Sequence, residues 1–237
     1  MGMVLAVLAP VCLAVVLWFA QPHLLRRRRI RRLVARCAAR RAIVLSYDDG
    51  PGAELTPALL DLLARRGARA SFYMIGRESL ARPATVARVL AGGHEVANHT
   101  QEHLNAWKVW PWRALRDLHA GRATLDRLGA APRSFRPPYG KMTPLTWLAT
   151  WRSRERIAFW TVDSRDSWEV PLPIPEVLAQ IDTLGGGVVL MHDCDCPPRA
   201  RSGHDHGAHV LALTEAILDM AALRGFAILR LCDLERH

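Results

Sequence analysis

Residues 42–51 read AIVLSYDDGP. The apolar run Ala42 to Leu45 leaves no face for water, which predicts a strand buried on both sides, as in a parallel sheet. The run ends in two adjacent carboxylates, Asp48 and Asp49, followed by the turn pair Gly50-Pro51. Neighbouring negative charges at the end of an apolar strand repel each other and lose hydration, so a compensating partner is required. Taken alone, the pair fits the N-terminal cap of a following helix. A metal ion or a buried cation would compensate it equally well.

Outward from this strand, short apolar runs alternate with amphipathic stretches. Strands are predicted at 42–47, 70–75, 94–97, 157–162, 187–191 and 226–231. Helices are predicted at 56–66, 79–91, 109–128, 144–152, 174–182 and 208–223. Gly50-Pro51, Gly92-Gly93, Pro137-Pro138 and Gly185 to Gly187 punctuate the series. Alternation of this kind predicts a parallel sheet, closed as a barrel or open and doubly wound. In both forms the chemistry collects at the C-terminal strand ends, where Asp48 and Asp49 fall.

The 237 residues suffice for one domain with a substantial core, and a 50% hydrophobic, 23% charged composition excludes disorder. The formal net charge is +10, but nine arginines lie between Arg26 and Arg41, so the rest of the chain is close to neutral. The basicity therefore belongs to a short arm, which argues against nucleic-acid binding by the domain. Placed directly after an apolar segment, such an arm points to lipid headgroups. That segment, Met3 to Ala20, is uncharged and would span about 27 Å as a helix. Pro10 is tolerable in a membrane helix, and Trp18 suits an interface. No charge precedes the run and WFAQPH is a poor cleavage site, so an uncleaved single-pass anchor is predicted in place of a signal peptide. The arginines follow the run, and the positive-inside rule then places the domain on the cytoplasmic side of the cell membrane. The predicted organisation is an anchor over 1–22, an Arg-rich juxtamembrane arm over 23–41 and a folded domain over 42–237. Cys12, Cys37, Cys194, Cys196 and Cys232 form no disulfide framework.

A second polar cluster, NHTQEH, follows the strand-like HEVA. His99 and His103 are spaced to share one face of a helical turn. With one carboxylate they would make a mixed nitrogen and oxygen site for zinc or a similar divalent ion, open to water. Further on, FRPPYG offers Arg136 in a Pro-stiffened loop, VDSRDSW sets Asp163 and Asp166 beside Trp168, and VVLMHD ends a buried strand in His192.

These five segments, in this order, resemble the motifs of the polysaccharide deacetylases, the NodB-homology group also called carbohydrate esterase family four. SYDDGP, HTQEH, RPPYG, DSRDSW and LMHD stand for the first to the fifth. The resemblance implies an α/β fold, a distorted (β/α)7-8 barrel, and metal-dependent removal of N-acetyl groups from amino sugars of a polysaccharide, oligosaccharide or lipid-linked glycan. It implies that Asp49, His99 and His103 hold the metal, zinc first and cobalt, nickel or manganese as alternatives. Asp48 would be the general base, aimed by Arg136. The Tyr139 backbone N–H would help hold the oxyanion. His192 would be the general acid, oriented by Asp166 with Asp163, and Leu190 and Trp168 would line the acetyl pocket. Ser46 and Tyr47 depart from the usual Thr-Phe, and Ser167 is inserted before Trp168, which unsettles the pairing of Asp166 with His192 and the placement of Trp168.

Other readings compete. HTQEH also fits the His-x-x-Glu-His pattern of a zinc peptidase with Glu102 as base. A tethered glycan binder without activity is a second rival. Cys194 and Cys196, and the histidines His204, His206 and His209, read as a solvated polar loop. Trp107, Trp110 and Trp112 could stack on sugar rings or pack a helix.

Overall fold

The computed structural model describes residues 2–195 and 205–235, and within the first helix the side chains of 2–15, 17 and 19 lie outside that description. The elements run α1 (Gly2–Arg40), β1 (Ala42–Asp48), α2 (Leu55–Arg65), β2 (Ser71–Met74), α3 (Gly76–Ala81), α4 (Pro83–Ala91), β3 (Glu95–Asn98) and α5 (Pro111–Arg127). They continue as β4 (Ser134–Phe135), a 3-10 turn (Pro138–Gly140), α6 (Pro144–Arg152), β5 (Arg156–Ile157), β6 (Val162–Asp163), α7 (Ile174–Thr183), β7 (Gly187–His192), α8 (His206–Arg224), β8 (Ala227–Ile228) and α9 (Leu231–Leu234).

The strands pair in the order β5-β4-β3-β2-β1-β7-β6, all parallel, and β8 joins the N-terminal end of β1. Read as a circle, this is the order of a (β/α) barrel with one seam left open between β5 and β6. The fold is a parallel-sheet half-barrel, the distorted form of the (β/α) barrel, with its wall open at that seam among the described residues. The reason is local. The single strand predicted at 157–162 is split, with Ala158, Phe159 and Trp160 between the two short strands β5 and β6.

Alternation along β1 assigns its two faces. Ile43, Leu45 and Tyr47 join the larger core against α2, α7 and α8. Ala42 and Val44 point to the other face, with Tyr73, Ala97, Phe159 and Val188, and there the cover is α1 itself: Leu33 and Cys37 are 3% and 0% exposed. The arginine-rich stretch is thus the amphipathic end of a helix packed on the sheet. The predicted span Met3–Ala20 falls mostly on side chains outside the description, and among the described residues no helix is long and apolar enough to cross a membrane.

Other boundaries moved for identifiable reasons. The helix predicted at 79–91 breaks into α3 and α4 at Arg82, which precedes Pro83 and takes an extended φ of −134°. The strand predicted at 226–231 shrinks to β8, and its last residue opens α9. Cys196 and His204 lie outside the described residues.

Candidate active site

The inner face of β1 continues past Val44 through Ser46 to Asp48, so Asp48 points inward at the strand's C-terminal end. The register sets His192, the last residue of β7, directly beside it. Asp49 lies one residue beyond β1, in the left-handed region at φ 70°. A Cβ at Gly50 would overlap the carboxylate of Asp193, so the turn out of β1 requires a glycine.

Arg136 follows β4 and is wholly buried. Its Nη1 donates to Asp48 Oδ1 at 2.6 Å and to Ser46 Oγ at 3.0 Å. Its guanidinium carbon stands 3.9 Å from the Tyr73 ring centroid. A buried carboxylate thus pairs with a buried guanidinium through Nη1, while Nε and Nη2 make no hydrogen bond and the group has the aromatic face as its further partner.

His99 and His103 do not share a helical turn. They lie in the loop after β3, with Thr100 and His103 at φ 68° and 56°. The loop nevertheless brings both rings to one atom: Asp49 Oδ1 is 3.3 Å from His99 Nε2 and 3.1 Å from His103 Nε2. The ligand atoms of the three residues lie within 4.8 Å of one another. Metal–ligand bonds of about 2.0–2.1 Å in a tetrahedron separate ligands by roughly 3.3 Å, close to the two distances from Asp49 Oδ1 to the imidazoles. Asp49 Oδ1 is buried and makes no hydrogen bond, so this donor atom is left for an ion. His99 Nδ1 is 2.7 Å from the Arg136 carbonyl. A carbonyl only accepts, so Nδ1 carries the proton; Nε2 faces Asp49, and a metal there would take the place of the second proton that, against burial, Asp48 and Asp49 favour. Burial and the neighbouring His99 push His103 down to about 4, which leaves it neutral near pH 7. Burial alone would raise the Asp49 carboxyl, but the two imidazoles outweigh it and hold it well below the usual range.

Asp166 clamps His192 twice. Its Oδ2 accepts the His192 backbone N–H at 2.7 Å, and its Oδ1 stands 2.9 Å from Nδ1. The inserted Ser167 does not disturb this pairing. Burial disfavours a charged His192, but Asp166 more than reverses that and raises it to about 10. Asp163 plays no part in the clamp: its Oδ1 accepts from the Arg165 N–H, and the residue lines the cleft.

Asp48, Asp49, His99, His103 and His192 share a cleft of about 590 Å³, walled also by Tyr139, Trp160, Asp163, Ser167, Trp168 and Leu190. Tyr139 sits at φ 58° in the 3-10 turn, its ring 4.7 Å from that of His103. Glu102, the base required of a peptidase, turns away and pairs with Arg77 at 3.0 Å. That reading is therefore corrected: the His-x-x-Glu-His spacing is present, but its geometry is not.

Three supporting residues were not foreseen. Asp193, wholly buried, accepts from Thr56 Oγ1 at 2.6 Å, and burial, reinforced by Asp48 and Asp49, raises it to about 7. Asp195 accepts the backbone N–H groups of Ala53, Glu54 and Leu55 and so caps α2. His206, read as loop, is buried at the start of α8, with its ring nitrogens 3.2 Å from the carbonyls of Asp166 and His192. A histidine surrounded by Gly, Asp and His gives no apolar signal of burial.

Residues 35–152 match the family described as Polysaccharide deacetylase. A chitooligosaccharide deacetylase of Bradyrhizobium sp. strain ANU 289 is 34% identical over 181 residues, which is 74% of this chain and 81% of that protein. A peptidoglycan-N-acetylglucosamine deacetylase of Bacillus cereus is 30% identical, over 82% of this chain and 88% of its own. Among solved structures, a peptidoglycan N-acetylglucosamine deacetylase in complex with 4-naphthalen-1-yl-N-oxidanyl-benzamide superposes with a TM-score of 0.72 at 26% identity, covering 83% of this chain and 89% of that one. By sequence and by fold, then, this chain belongs to the polysaccharide deacetylase family, whose relatives named here are amide hydrolases acting on N-acetylated sugars.

Proposed function

We propose that this chain hydrolyses the N-acetyl group of an amino sugar in a polysaccharide, oligosaccharide or lipid-linked glycan, with a divalent ion held by Asp49, His99 and His103. The observation that carries this is the meeting of those three donors, the Arg136-paired Asp48 and the Asp166-clamped His192 in one cleft.

When bound, the ion acidifies water and polarises the acyl carbonyl. One carboxylate and two imidazoles suit zinc, and the same donor set also suits cobalt, nickel or manganese. Asp48 takes the proton of the attacking water, because Arg136 fixes one carboxylate oxygen and leaves Oδ2 towards His99 at 3.8 Å. His192, charged near pH 7, returns a proton to the departing nitrogen, without which an amine is a poor leaving group. The C–N bond breaks, and acetate and the free amine leave. Tyr139, which lines the cleft, would give its backbone N–H to the oxyanion, and Leu190 and Trp168, also in the lining, would meet the acetyl methyl.

The uncharged run Met3–Ala20, followed by the arginines of α1, supports attachment to the cell membrane with the domain on the cytoplasmic side.

The decisive experiment incubates the full chain with zinc and an N-acetylglucosamine tetrasaccharide and counts acetate and free amine. Equal amounts of both are expected, and Asp48→Asn should reduce kcat by about 10²–10⁴-fold. No acetate from any N-acetylated oligosaccharide would overturn the reading.

A further inference from the structure

We propose that this domain stands with the mouth of its cleft against a lipid bilayer, and that its substrate is an amino sugar held in that bilayer by a lipid tail. The proposal rests on the deacetylase reading of the cleft and selects one of the substrate forms that reading allows. It follows from where α1 leaves the fold. The helix ends at Arg40, just before β1 begins, and runs along the sheet with Leu33 and Cys37 in the inner core. From Arg40 back to His23 is about 26 Å of helix, and the seven residues of β1 span about 23 Å. By His23, then, α1 has climbed to the C-terminal strand ends. The contacts agree. The Arg26 guanidinium carbon stands 5.2 Å from the Trp160 ring centroid, and the His23 and Trp107 rings meet edge to face at 5.4 Å. Trp160 is a wall of the cleft, so α1 comes out of the domain at the cleft's rim.

Beyond that rim the same helix continues back to Gly2, about 30 Å further. This stretch holds the uncharged run Met3–Ala20, and its Val16 is 59% exposed. The end of the domain that bears the cleft is thus the end from which the apolar run projects. The proposal needs the run to reach the bilayer, not to cross it.

The surface around the exit suits a lipid interface. Trp110 and Trp112, 69% and 53% exposed, stack with centroids 5.0 Å apart where the chain leaving β3 enters α5. Amphipathic indoles are favoured at the head-group level of a bilayer. Lys108 and Arg113 flank the pair, and Arg27 and Arg28 follow His23 on α1, all of them exposed. Cations so placed attract anionic head groups. A bilayer at this height delivers head groups to the mouth of the cleft. Confining the enzyme and a lipid-tailed sugar to one plane also raises their effective concentration, an advantage that a soluble oligosaccharide lacks.

The test uses the full chain with vesicles of phosphatidylcholine and phosphatidylglycerol. A photoreactive benzoylphenylalanine replaces either Trp110 or Leu223. Leu223, 86% exposed near the end of α8, marks the opposite end of the domain, because the next strand, β8, pairs with the start of β1. Irradiation should give lipid adducts at 110 and not at 223. Adducts in equal yield at the two positions, or at neither, overturn the proposal. The second arm compares kcat/KM for an N-acetylglucosaminyl dialkylglycerol in the vesicles with that for the soluble N-acetylglucosamine tetrasaccharide. Trp110→Ser should lower the first about fivefold and leave the second unchanged. An unchanged value for the vesicle substrate overturns the choice of substrate. Equal losses on both substrates overturn the lipid assignment and give the indole to the sugar. Absence of deacetylation on either substrate, with adducts at 110 intact, would instead overturn the reading of the cleft and leave the orientation standing.

Discussion

Asp48 and His192 are register partners across β1 and β7, so backbone pairing alone sets side by side the two groups proposed to handle protons. Loop motion cannot separate them without breaking the central pair of the sheet. The remaining parts of the site reach this pair from loops.

Arg136 is the first of these. Replacing it with Met removes the partner of a buried carboxylate, and roughly 3–5 kcal/mol of folding stability should go with it. Urea unfolding measures the loss. Arg136→Lys keeps a charge but loses the guanidinium that stands 3.9 Å from the Tyr73 ring centroid, and should fall between wild type and Met.

The pairing of His192 with Asp166 gives a pH signature. The folded His192 value, about 10, lies above its ordinary 6.5. Its contribution to stability is fully present below pH 6.5 and is lost as pH rises through about 10. Asp166→Asn removes the cause, so the alkaline limb of kcat should move to lower pH. Thermal melts between pH 6.5 and 10 should flatten. A limb that stays in place would exclude His192 as the titrating acid.

The proposed metal dependence rests on the orphaned Asp49 Oδ1. Chelation should abolish acetate release, and added zinc should restore it. At a hundred times its dissociation constant, zinc should add about 2.7 kcal/mol of stability to the wild type, seen as a higher Tm. Asp49→Ala should lose that increment while still folding, because its carboxylate is held only by its neighbours in the site.

Leu33 tests the packing of α1. It is 3% exposed in the core that also holds Val44 and Val188, and Leu33→Ala should cost roughly 2–4 kcal/mol in denaturant titration. A free arm would show no change.

The parts of this molecule that were legible in sequence are those whose signal is local. Strand β1, the glycine turn, and the Asp49, His99 and His103 donors all announce themselves by residue type at a chain position. What failed was tertiary. Ile30, Leu33 and Cys37 recur at helical spacing, but arginines fill the intervening faces, so charge hid the buried stripe. His99 and His103 were placed on a helix by their spacing, yet the left-handed turns at Thr100 and His103 bring the rings together by another route. Asp163 and Asp166 are equivalent in sequence. Only the hydrogen bonds to the His192 N–H and Nδ1 tell them apart.

The packing of α1 has a consequence for biosynthesis. The helix precedes its seat along the chain, because that seat is built from β1 and from β7 at Gly187–His192. Until β7 is made, one long edge of β1 stays unpaired and the inner apolar face stays bare, the condition under which nascent chains stick to one another. Contacts so distant in sequence also slow folding. α1 is therefore made well before its seat is complete, and the interval between those events is when the domain is most exposed to aggregation.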